Sequence, residues 1–412
     1  MADAKLKEAD RPKKVIVYRK EILRVSETFI KAQVRSYRRW RAVLFGERIW
    51  PGGLSLDGIN SRTLMDGRPN LIRRIFAKAR QTAGLAPPSV MRKFAAEAAN
   101  LIHAHFGHDG ILALPYARNL DVPLVVTLHG HDVNIRPEWY RSSEHGFWQK
   151  RYPDQFAAMV RQRNVHFVAV SNVLRKAAID YGVPEDRVVV CYTGIDVQQF
   201  QPGPKPMAER PRRILFVGRL VEMKGCAYLI EAFQEITRRI PGAELVVIGD
   251  GPLRGDLEEL ARKLDVRVEF LGAVTQDIVK QHLNEARVFC LPSITASNGN
   301  FESFGMVLLE AQASGVPVVT SAVGGIEGLA DGVTGFTFAE KDVGTLARRV
   351  CEILKNSELA SRMSAAGPAY VQQHFDIIRC TKKIEDLYDD ILSVAGNGAG
   401  MPKSAEPAKL TR

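Results

Sequence analysis

The sequence predicts an α/β protein made of two doubly wound, Rossmann-like domains in tandem. Three observations carry that expectation. Short, nearly continuous apolar segments recur along the chain with helix-length stretches between them, a Pro- and Gly-rich break divides them into two sets, and glycine-containing turns follow the strands of the second set. Apolar runs so connected are typical of parallel strands covered on both faces.

In the first half "KVIVYR", "WRAVLF", "NLIHAHF", "PLVVTLHG" and "VHFVAVS" read as strands. The turn after the first, "YRKEILRVSETFIKAQV", offers Ser26 and Thr28 as helix caps, with Glu27 between them. That helix would point its N-terminus toward a ligand. In "LIHAHFG", strand alternation puts His103 and His105 on one face, which suits a structural role. "PLVVTLHGHDVN" ends with His129, Gly130, His131 and Asp132, so His129 is placed to meet a ligand while Asp132 orients it or binds a hydroxyl. The pair His129 and His131 raises metal binding, but no third ligand of suitable spacing is evident in the sequence, and no metal is expected.

The break is "QFQPGPKPMAERPRR". It sets the expected domains at 1–203 and 207–375, with 397–412 a disordered tail. In the second half "RRILFVG", "AELVVIG", "VRVEFLG", "RVFCLPS" and "GVPVVTS" are the strands. "LFVGRLVEMKG" puts Gly218, Arg219 and Lys224 directly after a strand, two cations beside a helix start, which makes an anion site. "VVIGDGPLRG" brings Gly249 after the next strand, and "VEFLGAV" brings Leu271 after the third. "GDGPLRG" narrowly misses the dinucleotide fingerprint, because its third glycine is late and Pro252 occupies the turn, so a nicotinamide-dependent dehydrogenase is a poor fit.

"NFESFGMVLLEAQASG" brackets an apolar helix with two carboxylates. Glu302 sits in the loop, the helix starts at Ser303 or nearby, and Glu310 lies two turns along, roughly 12 Å away at the α-helical rise. That spacing suits a nucleotide sugar. One carboxylate would accept from sugar hydroxyls, the other from a ribose, and the amides of Phe304, Gly305 and Met306 would face the phosphates.

The formal net charge of +11 is unevenly spread: residues 1–205 hold 33 Lys/Arg against 19 Asp/Glu, leaving 24 against 27 for the rest. Much of the excess lies in "IKAQVRSYRRWR" and "RPNLIRRIFAKAR", whose apolar residues recur at amphipathic spacing. Such a face is either simply solvated or meets anionic lipid. No nucleic-acid-binding motif accompanies it. The five cysteines, 191, 226, 290, 351 and 380, show no disulfide or zinc spacing, and no run reaches the length of a membrane span, so a cytoplasmic protein is expected, peripheral at the inner membrane face.

Together these residues resemble the retaining nucleotide-sugar glycosyltransferases of the GT-B fold, family 4. The specific elements are "GRLVEMKG", "GDGP", Glu302 with Glu310, "EAQASGVPVVTSAVGG" and "DGVTGF", and in the first half "RVSETFI", "HAHFG" and "HGHD" resemble exopolysaccharide members. The resemblance implies two domains facing across a cleft, 1–203 acceptor-side and 207–375 nucleotide-sugar-binding, with the last helix, "FDIIRCTKKIEDLYDDIL", within 376–396, returning to the first. It implies that Arg219 and Lys224 neutralise the donor diphosphate, Glu302 contacts the transferred sugar, Glu310 binds ribose, and His129 contacts the donor sugar near its reacting carbon. It also implies a metal-independent transfer from a UDP- or GDP-sugar to a lipid-linked or polysaccharide acceptor, without a cofactor. Asp389 and Asp390 lie in the last helix and form no DxD motif. Three departures stand out: "LRVSET" replaces a Gly-Gly turn, "GGIEG" replaces GGxPE and leaves the role of Glu327 open, and "CYTGID" replaces an Asn-Gly-Ile-Asp. Two other readings remain: a GT-B-like nucleotide-sugar 2-epimerase, or a non-catalytic sugar-nucleotide binding subunit.

Overall fold

A computed structural model describes residues 12–64, 85–142, 144–324 and 326–397. The basic segment "RPNLIRRIFAKAR" and the tail after residue 397 lie outside the described residues. The described chain divides into two compact units, one formed by 12–64, 85–133, 137–194 and 377–397, the other by 134–136 and 195–376.

The first unit is built on a parallel sheet of order β5-β3-β1-β6-β7-β8-β9. Its strands are β1 (Lys14–Tyr18), β3 (Arg41–Gly46), β5 (Ser61–Thr63), β6 (Leu101–His105), β7 (Leu124–Leu128), β8 (Val165–Ala169) and β9 (Val188–Val190), with β2 (Glu21–Ile22) and β4 (Arg48–Ile49) forming a separate parallel pair. Every residue of β6 and β7 is buried, as expected of strands covered on both faces, and in β6 this includes His103 and His105. The last helix, Ile377–Asn397, belongs to this unit and buries Ile384, Leu387, Tyr388 and Ile391 in its core. Its Glu385 carboxylate accepts from three successive amides, those of Arg38, Arg39 and Trp40, at 2.9, 2.7 and 3.0 Å. Asp389 meets Lys13 and Arg39. Part of the basic excess read from the sequence is therefore consumed inside the fold.

The second unit carries a parallel sheet of order β12-β11-β10-β13-β14-β15: β10 (Arg213–Val217), β11 (Glu244–Ile248), β12 (Val268–Gly272), β13 (Val288–Leu291), β14 (Val318–Ser321) and β15 (Gly335–Phe338). The helix Cys226–Arg239 shows why such segments are helical. Its buried Cys226, Leu229, Ile230, Phe233 and Ile236 recur at three- and four-residue intervals, while Arg238 and Arg239 sit in the last turn, where the dipole favours cations.

The structure differs from the expected boundary near 203–207. The chain changes unit between Gly194 and Ile195, and the Pro-rich segment packs within the second unit: Phe200 and Met207 are buried, and the Arg210 guanidinium donates to the carbonyls of Leu283 and Ala286. Two apolar anchors and one cation turned a composition that reads as a linker into packed chain. The short strands β5, β9 and β15 were not foreseen, because "SRT" is polar and the other two are only three or four residues long.

Candidate functional site

In the second unit the loops after β10, β11 and β12 touch backbone to backbone. Gly218 donates its amide to Ile248 O at 2.9 Å, and Gly249 donates to Gly272 O at 2.8 Å. Gly249 adopts φ +134°, and a Cβ there would lie 1.9 Å from Gly218 O, so only glycine fits. Leu271, next to Gly272, is half-buried in the edge strand β12. Arg219 is exposed and forms no ion pair among the described residues. Lys224 closes the short turn Glu222–Lys224, and its ammonium pairs with the Glu302 carboxylate, both side chains largely buried. Two residues 78 positions apart, singled out from sequence for separate roles, thus share one ion pair.

The helix after Glu302 runs Met306–Ala313, starting three residues beyond Ser303, with Gly305 at its N-cap in the left-handed region (φ +71°). Phe304 is buried edge-on against Phe375, which fixes the loop below the cap. The backbone of Glu302 is held too: a Cβ on Gly324 would lie 1.6 Å from its carbonyl oxygen. Leu308, Leu309, Ala311 and Ala313 are buried, and the buried Gln312 donates to Leu308 O and Gly328 O. Glu310 is half-buried, and its carboxylate has no hydrogen bond or ion pair among the described residues. Burial raises its carboxyl to about 7, with Lys280 acting in the opposite direction.

The first unit has a different character. His129 follows β7; it is half-buried, and burial pulls its imidazole down to about 3, with Asp132 opposing and Arg19 reinforcing the shift. Its Nε2 lies 3.0 Å from His105 Nδ1. His103 lies stacked on His105, with its ring nitrogens against Tyr388 Oη and, at 2.6 Å, Thr127 Oγ1. His103 and His105 are therefore parts of one buried row that ends at His129. Asp132 is fully buried and accepts from the amides of Gly107 (2.8 Å) and His129 (2.7 Å). Burial would raise its carboxyl, but His131 and those two amides outweigh it and hold it below the usual range. His131 itself is exposed.

Ser26 and Thr28 do not cap a helix. Ser26 is exposed, Thr28 is the first residue of the helix Thr28–Ser36, and the N-cap is Glu27, which makes no side-chain capping bond. The Glu27 carboxylate is instead taken by the Arg19 guanidinium and the Arg24 amide. Arg19, buried, also pairs with Asp109, donates to His105 O at 3.1 Å and lies 4.4 Å from the Phe106 ring. A buried cation outcompetes backbone amides for a carboxylate, since leaving either charge unpaired costs several kcal/mol.

The sequence reading also missed Phe106 and His108. Phe106 has φ +73° and ψ 144°, a region nearly reserved for glycine, at a cost of about 1–3 kcal/mol. Its ring packs 4.5 Å from His129 and 5.2 Å from His131. His108, on the next helix, comes close enough to His131 and Asp132 to form a three-ligand set with them, and His129, the partner the sequence suggested for His131, is not part of it. The only sequence signal was its position three residues beyond "HAH", at the end of the strand beside β7.

Comparison with known proteins matches residues 62–199 to the family described as Glycosyltransferase Family 4, and residues 197–370 to Glycosyl transferases group 1. Among curated relatives, the amylovoran biosynthesis glycosyltransferase AmsK of Erwinia amylovora is 31% identical over 284 residues, 68% of this chain and 67% of that protein. The putative colanic acid biosynthesis glycosyltransferase WcaL of Escherichia coli K12 is 28% identical over 270 residues, 64% of each chain. The matches thus span about two thirds of those relatives. Among solved structures, Anabaena Alr3699/HepE in complex with UDP-glucose superposes with a TM-score of 0.71 at 20% identity, over 91% of this chain and 99% of that one. Sucrose-phosphate synthase of Thermosynechococcus elongatus gives 0.71 at 18% identity, over 93% and 100%. At such identities the structures speak to fold alone.

Proposed function

Since the chain belongs to the group 1, family 4 glycosyltransferases of the GT-B fold, we propose that it moves a sugar from a nucleotide-sugar donor, with retention of configuration, to a lipid-linked or polysaccharide acceptor in exopolysaccharide, capsule or lipopolysaccharide synthesis. The observation that carries this reading is the pairing of Lys224 with Glu302 ahead of a helix whose half-buried Glu310 is left without a partner. A carboxylate in that state is an acceptor waiting for hydroxyl donors, which a ribose supplies.

In the proposed reaction the acceptor hydroxyl oxygen bonds to the anomeric carbon while the bond from that carbon to the diphosphate oxygen breaks. The acceptor's proton passes to the departing phosphate, so no protein base is required. Arg219 and Lys224 offset the charge that grows on the nucleoside diphosphate. Binding of the donor draws Lys224 toward phosphate and frees Glu302 for sugar hydroxyls. His129, uncharged near neutral pH, contacts the sugar without adding a cation beside a carbon that gains positive character. The transfer as proposed uses no metal or cofactor, and a UDP- or GDP-sugar is the donor.

Names of relatives support the polysaccharide setting: AmsK and WcaL are described as acting in amylovoran and colanic acid biosynthesis. No helix among the described residues is long and apolar enough to cross a membrane. Contact with anionic lipid would use Arg35, Arg38 and Arg41, which are exposed and form no ion pair among the described residues. Flotation with phosphatidylglycerol vesicles but not phosphatidylcholine vesicles tests it, and equal behaviour with both rejects it.

The donor site is tested by thermal stabilisation with UDP-, GDP-, ADP- and dTDP-sugars, in the native protein and in Glu310→Ala. Selective stabilisation by one nucleotide family, weakened in the variant, is expected. No stabilisation by any at millimolar concentration sinks the assignment.

A further inference from the structure

We infer that His108, His131 and Asp132 form a binding site for a single divalent transition-metal cation of the Zn²⁺ class, within the first unit.

The argument starts from Asp132, whose side chain is fully buried. The neighbouring buried cation, Arg19, is already paired with both Glu27 and Asp109. Asp132 has only two backbone amides, from Gly107 and His129, and among the described residues no cation of its own beyond what His131 could become by taking up a proton. A buried carboxylate so placed gains from a positive charge beside it.

What lies in front of it is a ligand set. One ligand atom from each of His108, His131 and Asp132 falls within 4.8 Å of the others. Tetrahedral zinc with bonds of about 2.0–2.1 Å needs neighbouring ligand atoms about 3.3 Å apart, so closure asks for a shift of roughly an ångström or more. His131 can make that shift because its side chain is 46% exposed. The other two ligands are held in place. His108 stacks on Tyr152 at 3.9 Å, and Tyr152 Oη in turn donates to Asp132 O at 2.8 Å. Asp132 is oriented by its amides in the manner of supported metal ligands, and each of its oxygens keeps a second lone pair. The strained Phe106 supplies both the Gly107 amide and the start of the helix that carries His108.

Two imidazoles and one carboxylate select the metal. Mg²⁺ and Ca²⁺ take oxygen ligands, whereas Zn²⁺, Co²⁺ and Ni²⁺ accept imidazole nitrogen, and three protein ligands leave a position for water.

The test uses untagged full-length protein, dialysed against EDTA and then against chelator-free buffer. It is titrated with CoCl₂ followed by visible absorption, and then with ZnCl₂. The expected result is one Co²⁺ per chain with ligand-field bands that Zn²⁺ displaces and Mg²⁺ leaves intact. His131→Ala and His108→Phe, both surface changes and the second preserving the ring on Tyr152, each weaken binding at least about tenfold, and the double variant loses the bands. Circular dichroism shows that the variants are folded. Absence of ligand-field bands at about 100 µM Co²⁺, or bands unchanged in the folded double variant, overturns the site.

Discussion

The buried polar groups of the two units are arranged in opposite ways. In the first, His103, His105 and His129 are neutral and held by one another, Thr127 and Tyr388, and Arg19 is matched to Glu27 and Asp109. In the second, Glu310 is left half-buried without a partner and Arg219 stands exposed. A network satisfied from within fixes geometry, whereas groups left unsatisfied are paid for by a ligand. The difference teaches where binding energy is kept in reserve: the histidine row and the Arg19 cluster of the first unit, His105 Nε2 apart, hold geometry, whereas Glu310 of the second keeps an acceptor free among the described residues.

Acid should separate the units most strongly. Burial depresses His103 to about 3 and His105 well below its ordinary value, so the unfolded chain takes up protons that the folded unit refuses. Stability from these groups is complete above about pH 6.5 and falls as pH drops toward the folded values, by about 1.4 kcal/mol per pH unit for each. Asp109, raised to about 6 mainly by burial, returns one such increment below that pH. The first unit therefore loses stability as pH falls from about 6.5 toward 4. Calorimetry resolving two transitions should show the one assigned to the first unit shift down with acid, and equal shifts for both would break the comparison.

Next in size is Gly249→Ala. With Gly218 O only 1.9 Å from the added Cβ and φ at +134°, the strand ends must part, at a cost of about 3 kcal/mol or more. Denaturant unfolding should show it, together with lost donor binding. A loss below 1 kcal/mol would mean that the glycine contact does not hold the loops.

Tyr388→Phe probes the closed network. The hydroxyl joins Tyr37 Oη at 2.7 Å to His103 Nδ1, and removing it strands both, for about 2 kcal/mol. Chemical unfolding at pH 7.5 measures that loss, while donor affinity should stay unchanged.

The smallest effect sharpens the other side. Glu310, raised to about 7, gives the reverse sign from the histidines: its folded form keeps a proton that the unfolded chain has released, so its contribution falls as pH rises from about 4.5 through 7. Hydroxyl donors of a bound ribose stabilise the carboxylate, so donor binding should release up to one proton near pH 6.5. Glu310→Gln should abolish that release and weaken the donor about tenfold. Isothermal calorimetry in two buffers of different ionisation enthalpy reads both, and an unchanged proton count would remove Glu310 from the site.

Much of this was legible in sequence, for reasons particular to each element. The strands "VIVY", "LVVTL" and "ILFV" are apolar on both faces, which only a covered parallel sheet accommodates. Gly218, Gly249 and Gly305 stand at turns where backbone meets backbone or φ is positive, as glycine after a strand suggests. The Pro-rich segment misled because composition reports flexibility in isolation, while Phe200 and Met207 found burial in the folded unit.

Sequence alone determined the two parallel-sheet units and the chemical types set at the strand ends, since periodicity and turn chemistry are local properties of a chain. Only the tertiary structure decided which charges are spent and which are kept. Arg19 could bind Glu27 and Asp109, Lys224 could bind Glu302, and His108 could approach Asp132 only after strands distant in sequence lay side by side. Electrostatic pairing depends on distance and burial, and neither is written in the spacing of residues along the chain.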